Sequence, residues 1–273
     1  MKNNTICVVI PIYINTNIHL FKKAIESIVQ QSHPADEILI ICDGLISTQL
    51  NNLIKTFSNK YSYIKIIRYD HNKGPGYARD YGIKCTSCDY IAIMDSDDVS
   101  TIDRLAIQYE FMQKNNDISL CGGLIRELDD NNHKISIRNV PMLHSEILKT
   151  IKIKSPINNV TAFFRRKDYL ETDGYAHIRS SEDYALWARL IYKEKKLQNL
   201  PHIFVDVNFD IGSLSRRTGL AHFKNDLFTQ KELLNFNLIT RYQFYKNILK
   251  YFIFRCILHK NIKKILYKYY LRK

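Results

Sequence analysis

The 273-residue chain carries 40 Lys and Arg against 27 Asp and Glu, a formal charge of +13. An apolar content of 45% excludes a wholly disordered chain, and 9 Gly with 6 Pro exclude collagen-like or proline-rich architecture. Such a length buries one large core, or one core with a smaller appendage.

"MKNNTICVVIPIY" is too short and too soon interrupted for a signal peptide, and its apolar, β-branched run reads as a first strand covered on both faces. Helical spacing follows from about Leu20 to Gln31, through Ala24, Ile25, Ile28 and Val29. "EILIICDG" is a second strand ending at Asp43 and Gly44, "STQLNNLIKTFSNKY" a second helix and "IKIIRY" a third strand. "GYARDYGIKCTS" predicts a helix feeding the strand "DYIAIM". This alternation indicates βαβ units and an α/β fold, a Rossmann-like, mostly parallel central sheet flanked by helices.

After the helix "DRLAIQYEFMQKN" the rhythm loosens. "ISLCGGLIREL" and "NVTAFFRRKDYL" bear strands, with a helix near Glu146 to Ile151 between them. "EDYALWARLIYKE" is a helix with Leu186, Trp187 and Leu190 on its apolar side, "GSLSRRTG" reads as a loop, and helices fill most of the chain from His222 onward. No acid follows Glu232, while the remaining 41 residues hold ten Lys or Arg. Apolar residues at Ile248, Phe252, Ile257, Ile262, Ile265, Leu266 and Tyr269 alternate there with Lys250, Arg255, Lys260, Lys263, Lys264 and Lys268. That pattern suits either an interfacial helix whose basic side chains reach phosphate headgroups or a helix packed on the domain with a solvated basic face. No apolar run is long enough to span a membrane. Cys7 and Cys42 read as small buried side chains, and the Cys85/Cys88 pair lacks the second close pair of a zinc site, a pattern that suits a reducing cytosol.

In open α/β sheets ligands bind beyond the carboxyl ends of the strands. Three polar features fall at such ends: Pro11 to Tyr13, Asp43, and Asp95 to Asp98. Asp43 can accept a base N–H, while Asp95 and Asp97 can hold a ribose hydroxyl and a divalent ion, Mg²⁺ or Mn²⁺ by the preference of hard cations for carboxylate oxygen. The competing reading makes Asp97 or Asp98 a cap for the helix near Thr101. "HNKGPGYARDYG" is neither a dinucleotide fingerprint nor a P-loop, but its helix start carries Arg79, suited to a phosphate or to positioning the acidic loop; the competing reading is a mere turn that needs no ligand. "SSEDYALW" supplies Glu182 and Asp183, one of them a candidate base for a sugar hydroxyl, with Ser180 or Ser181 as helix cap. Arg216 and Arg217 are candidate diphosphate partners.

Together "VVIPIY", "ICDG", "NKGPGYARDYGI", "MDSDD" and "SSEDYALWARL" resemble, in order and separation over roughly residues 5 to 217, the inverting family 2 glycosyltransferases of bacterial surface-polysaccharide synthesis, which have a GT-A fold. The resemblance implies a catalytic domain over about residues 1–220, with a nucleotide-binding half to about 100 and an acceptor-binding half beyond, followed by a basic helical extension over 221–273. It implies that Pro11 and Tyr13 contact the donor nucleotide, Asp43 the uracil, and Arg79 the neighbourhood of the donor phosphates. Asp95 matches a ribose- or metal-bridging acid, Asp97 the principal metal ligand, and Asp98 an acid that supports the loop or caps a helix. Asp183 matches the general base, with Glu182 and Trp187 in acceptor-contacting or supporting places. "FDIGSLSRR" lacks the His of the family's Arg-x-His element, so its role passes to Arg216 or Arg217 or is absent. There is no Gln-x-x-Arg-Trp motif, which favours addition of one sugar per acceptor. The implied donor is a UDP-sugar; the basic tail points to a lipid-diphosphate-linked saccharide as acceptor and to an anionic membrane surface at the inner face of the cell membrane, rather than to nucleic acid. The rivals are a nucleotidyltransferase acting on a sugar phosphate and a non-catalytic membrane-binding adaptor.

Overall fold

A computed structural model describes residues 4–129, 133–208 and 218–258. Its first strand, β1 (Ile6–Ile12), lies between and parallel to β2 (Glu37–Asp43) and β4 (Tyr90–Ile93), and β2 pairs in parallel with β3 (Ile64–Tyr69). The intervening helices are α1 (Ile18–Val29), α2 (Thr48–Lys60) and α3 (Pro75–Cys85). α1 starts where Asn17 accepts the amides of His19 and Leu20, and α2 where Ser47 accepts that of Leu50, so each satisfies amides that the first turn leaves unpaired. The side chains of β1 and β2 split by alternation. Val8, Ile10, Ile38 and Ile40 share a cluster with Phe21, Ile25, Leu50 and Ile54 of α1 and α2. Val9, Leu39 and Ile41 share the other with Ala78 and Ile83 of α3. Burial on both faces is why these strands show as unbroken apolar runs.

Beyond β4 come β5 (Val99–Ser100), α4 (Arg104–Lys114), β6 (Ile118–Leu128), β7 (Lys134–Arg138), α5 (His144–Thr150), a 3₁₀ turn at Asn159–Thr161, β8 (Phe163–Arg165), α6 (Arg166–Leu170), α7 (Glu182–Tyr192) and β9 (Lys196–Asn208). Then follow α8 (Leu220–Asn235), α9 (Arg241–Phe252) and a π turn at Ile253–Ile257. The sheet runs β3-β2-β1-β4-β8-β6-β9-β5, with β7 beside β6. It is parallel through β4, and antiparallel pairing enters at β8, so the central sheet is mixed and flanked by helices on both faces. The α/β, GT-A-like expectation is met, including basic helices at the C-terminal end.

One local expectation is corrected, and one strand was not foreseen. Neither Asp97 nor Asp98 caps α4; Asp103 stands at its cap position, and Asp98 Oδ1 instead accepts the Asn208 amide at 3.2 Å, tying the acidic loop to β9. β9 itself is unread in the sequence because Pro201 interrupts it. The strand tolerates proline there because its register against β6 shifts, Gly123 facing Leu200 and Leu124 facing Ile203, so that Pro201 and His202 fall in the irregularity.

Among the described residues no helix is long and apolar enough to cross a membrane. α8 and α9 pack on the domain: Leu233 and Ile239 belong to the cluster that holds Trp187 and Leu190. Buried Asn247 of α9 donates to the Lys152 carbonyl and to Gln230 of α8, each at 2.8 Å. The packed alternative thus holds for α8 and α9, while Lys260, Ile262, Lys263, Lys264, Ile265, Leu266, Lys268 and Tyr269 lie outside the described residues.

Candidate active site

Topology gathers at one end of the sheet what the sequence separates. Pro11 lies near the end of β1 and Tyr13 just beyond it, Asp43 ends β2, and Asp95 follows β4, which are adjacent strands. From α3, whose N-terminus opens onto the same end, Arg79 reaches across. Its guanidinium is buried and donates through Nη2 to Asp95 Oδ1 at 2.7 Å and through Nη1 to Glu182 Oε1 at 2.6 Å. One side chain thus joins the acidic loop after β4 to the start of α7. Two carboxylates beside it more than offset the burial that opposes its charge, and hold the guanidinium protonated far above its ordinary range. The Tyr175 ring lies under it, 5.8 Å from the guanidinium carbon. Arg79 therefore faces carboxylates directly, and its link to a donor phosphate would run through the Asp95 corner.

On the nucleotide side, Asp43 is buried and accepts from the Lys73 amide at 2.7 Å, the Gly74 amide at 3.0 Å and the Tyr69 hydroxyl at 2.9 Å. A carboxylate has about four lone-pair sites, which leaves one for a base N–H. The same carboxylate pushes the Tyr69 hydroxyl up beyond its ordinary range, after burial, the larger cause. The "NKGPG" stretch thus does more than turn the chain: Gly74, at φ 93°, presents its amide to Asp43 and opens α3. Tyr13 is 43% exposed and its amide donates to Thr16 at 2.9 Å; the residues that follow it, Ile14 to His19, line a surface cleft of about 620 Å³ together with Ser47 and Gln49.

At the acidic corner Asp95 keeps a third of its side chain exposed, Asp97 is exposed, and Asp98 is buried. Burial, then the charges of Asp97 and Asp95, push the Asp98 carboxyl well above the usual range. Three acids within four positions create a demand for positive charge on their open side. Asp95 and Asp97 offer the hard oxygen atoms that Mg²⁺ or Mn²⁺ prefers. Among the described residues no group of three or more His, Cys, Asp or Glu converges as a metal site, so a cation here would complete its shell with substrate oxygen and water. Asp97 also borders a cavity of about 550 Å³ whose walls include Lys23, Arg126 and Asp206.

The start of α7 faces this corner. Glu182 is buried against Arg79, whereas Asp183 is half-buried. Desolvation, then the neighbouring Glu182 charge, push the Asp183 carboxyl up to about 7, where it can take a proton near neutrality. Neither preceding serine caps the helix as expected. Ser181 adopts a left-handed conformation (φ 63°) and donates to Asp226 of α8 at 2.8 Å, while Thr229 donates to its carbonyl at 3.2 Å. Ser180 accepts from Asn225 at 2.9 Å. α8 therefore holds the turn that presents Asp183. Trp187 is fully buried in the core under the helix, a supporting position. Arg216 and Arg217 lie outside the described residues.

Sequence reasoning missed Asp226, Tyr175 and the Lys73–Gly74 amides. For the amides a signal existed in the Gly-x-Gly pair after β3. Asp226 gave none, since one acid in an amphipathic helix looks like any solvated residue.

Comparison with known proteins follows the same residues. The family model described as Glycosyl transferase family 2 matches residues 7–174. A glycosyltransferase of Haemophilus influenzae is 31% identical over 218 residues, 80% of either chain. The Escherichia coli UDP-Gal:alpha-D-GlcNAc-diphosphoundecaprenol beta-1,3-galactosyltransferase is 29% identical over 267 residues, 97% of this chain and 96% of that one. Among solved structures, S. aureus TarS 1-349 in complex with UDP-GlcNAc superposes with a TM-score of 0.70 at 17% identity, covering 91% of this chain and 72% of that one. The mannosyltransferase PcManGT from Pyrobaculum calidifontis, in complex with GDP-Man and Mn²⁺, gives 0.64 at 10% identity, with 94% and 71% covered. At such identities the structural likeness speaks for the fold.

Proposed function

The chain belongs to glycosyl transferase family 2 and is a glycosyltransferase; on that premise we propose that it transfers a hexose or N-acetylhexosamine from a UDP-sugar to a hydroxyl of a lipid-diphosphate-linked saccharide, with inversion to a β-linkage, in bacterial surface-polysaccharide synthesis. The observation that carries this reading is the Arg79 bridge, which sets the Asp95 corner and the Glu182–Asp183 pair on two sides of one guanidinium. The chemistry and lipid-diphosphate acceptor in the name of the E. coli relative, similar over nearly its whole length, support the choice of donor and acceptor.

Asp43 and Tyr13 would receive the uridine, and Asp95 and Asp97 would hold Mg²⁺ or Mn²⁺. That cation would supply charge neutralisation for the departing diphosphate. Asp183 would accept the proton of the attacking hydroxyl as its oxygen bonds to the anomeric carbon and the bond from that carbon to the UDP oxygen breaks. Attack opposite the leaving group turns an α-linked donor into a β-glycoside. No covalent enzyme intermediate is required, since a base and two oriented substrates suffice.

The deciding experiment is a UDP-sugar panel scored for UDP release with and without lipid-diphosphate-linked saccharide acceptors, with the product's anomeric configuration determined. Asp183→Asn should abolish transfer while UDP still binds, and a chelator should stop transfer until Mn²⁺ or Mg²⁺ is restored. Pyrophosphate release from a nucleoside triphosphate and a sugar phosphate, with no glycoside formed, would instead establish the nucleotidyltransferase rival. Full activity of metal-free enzyme would remove the cation from the scheme.

A further inference from the structure

One face of α9 is covered by nothing in the described fold. The inward side of this helix is accounted for by Asn247 and by Tyr251, whose hydroxyl donates to the Ile153 carbonyl at 3.4 Å. The opposite side carries Tyr242 (76% exposed), Tyr245 (69%) and Leu249 (61%), continued by Phe252 (37%) and, in the π turn, Ile253 (38%) and Ile257 (63%). Their spacing of three, four and seven places them along one stripe of the helix surface. Exposed Lys246 and Lys250 border that stripe, and no acid occurs anywhere after Glu232. Large apolar and aromatic side chains pointing outward cost solvation, and a soluble helix normally spends that face on Glu and Lys pairs. A stripe of Tyr, Leu and Ile edged only by cations matches the boundary between acyl chains and negatively charged headgroups.

We propose that this face of α9 docks the enzyme on an anionic lipid surface, with Tyr242, Leu249 and Ile253 entering the interface and Lys246 and Lys250 meeting the phosphates. The charge complementarity singles out anionic lipid over a second copy of the chain, whose own face would be equally cationic. Docking has a consequence for the site. α9 is fastened to α8 through Asn247 and Gln230, and α8 holds Ser181 immediately before Glu182 and Asp183. The helix on the membrane and the turn that presents the base are therefore parts of one packed unit.

The test uses the full chain and vesicles of phosphatidylcholine alone or mixed with phosphatidylglycerol. The protein should sediment with the mixed vesicles, at least about tenfold less with phosphatidylcholine alone, and less as salt is raised. Leu249→Glu with Ile253→Glu should lower partitioning at least about tenfold. Lys246→Glu with Lys250→Glu should remove the salt-sensitive part. Each variant is checked for an unchanged melting temperature and unchanged UDP binding, so that membrane release is separated from loss of the transfer site. Equal sedimentation of variant and parent, or no binding to the anionic vesicles, overturns the proposal. So does a parent dimer by light scattering that the Leu249/Ile253 variant converts to monomer, which would make the stripe a contact between copies.

Discussion

Arg79 is the residue at which the two halves of the site meet, and its burial makes the consequences of replacing it calculable in direction. Arg79→Met strands Glu182, buried, and Asp95, partly exposed, without their shared cation. Removing one partner of a buried ion pair typically costs about 3–5 kcal/mol, and the solvent at Asp95 places this case toward the lower end. Urea unfolding would read that loss. Arg79→Lys restores charge but not the fork, because one ammonium cannot hold both carboxylates at hydrogen-bond distance. It should recover most of the stability while kcat/KM stays at least about tenfold low. Asp183 supplies a pH test. Its carboxyl is raised to about 7 and acts as a base only when ionised, so kcat/KM should rise with pH through about 7 and level off above it. Glu182→Gln removes the second-ranked cause of that shift, so the limb should move to lower pH. A limb that stays put would dissociate it from Asp183. The carboxylates were legible because each sits at a strand end or helix start. Their joining was legible only in part: Arg79 as a residue that positions the acidic loop was among the sequence's readings and Asp95, 16 positions on, bears it out, but nothing local encodes its reach to Glu182, 103 positions away.

The elements that frame the site depend on close approach more than on propensity. α3 begins at Gly74–Pro75–Gly76, and a Cβ at Gly76 would overlap the Ala176 carbonyl and press on the Glu182 side chain. The segment leading to α7 can cross the start of α3 only because that position is bare. Gly76→Ala should therefore push the segment away, separate Glu182 from Arg79, and cost about 1–3 kcal/mol as an overpacked site does. Transfer should fall more than stability does, a contrast visible by comparing turnover with the thermal midpoint. β1 and β2 were readable because their apolar runs are unbroken, whereas the caps Asn17 and Ser47 were not read, and the first helix starts at Ile18 rather than near Leu20. Elements beyond β4 were harder for physical reasons. β5 is two residues long, β7 carries Lys134 and Arg138 at its ends, and β9 contains a proline that only a register shift against β6 accommodates. Such features follow from pairing with distant strands, which local pattern does not record.

At the scale of the whole molecule, the basic C-terminal helices are bolted to the catalytic part at several depths. Leu233 and Ile239 complete the core beneath α7. Arg189 of α7 pairs with Glu232 at 2.5 Å and donates to the Gly174 carbonyl at 2.7 Å. Asp226, buried, receives both Ser181 and Arg255, the latter at 2.7 Å, so a residue of the basic stretch reaches back to the turn before the base. Ser181 is held in its left-handed conformation by Asp226 and Thr229 of α8 together with the Ala185 amide of α7, and a non-glycine residue keeps such a conformation only when its surroundings over-determine it. The boundary near residue 220 that the resemblance implies is accordingly a poor place to cut. A chain ending at Gly219 would expose the apolar back of α7, leave Arg189 without Glu232, and release Ser181 to extended backbone. It should bind a hydrophobic dye, lose its cooperative melt and show no transfer even to a soluble acceptor. If the shortened chain instead melts cooperatively and keeps its turnover, the helices serve location only, and the contacts through Asp226 and Leu233 contribute nothing to catalysis.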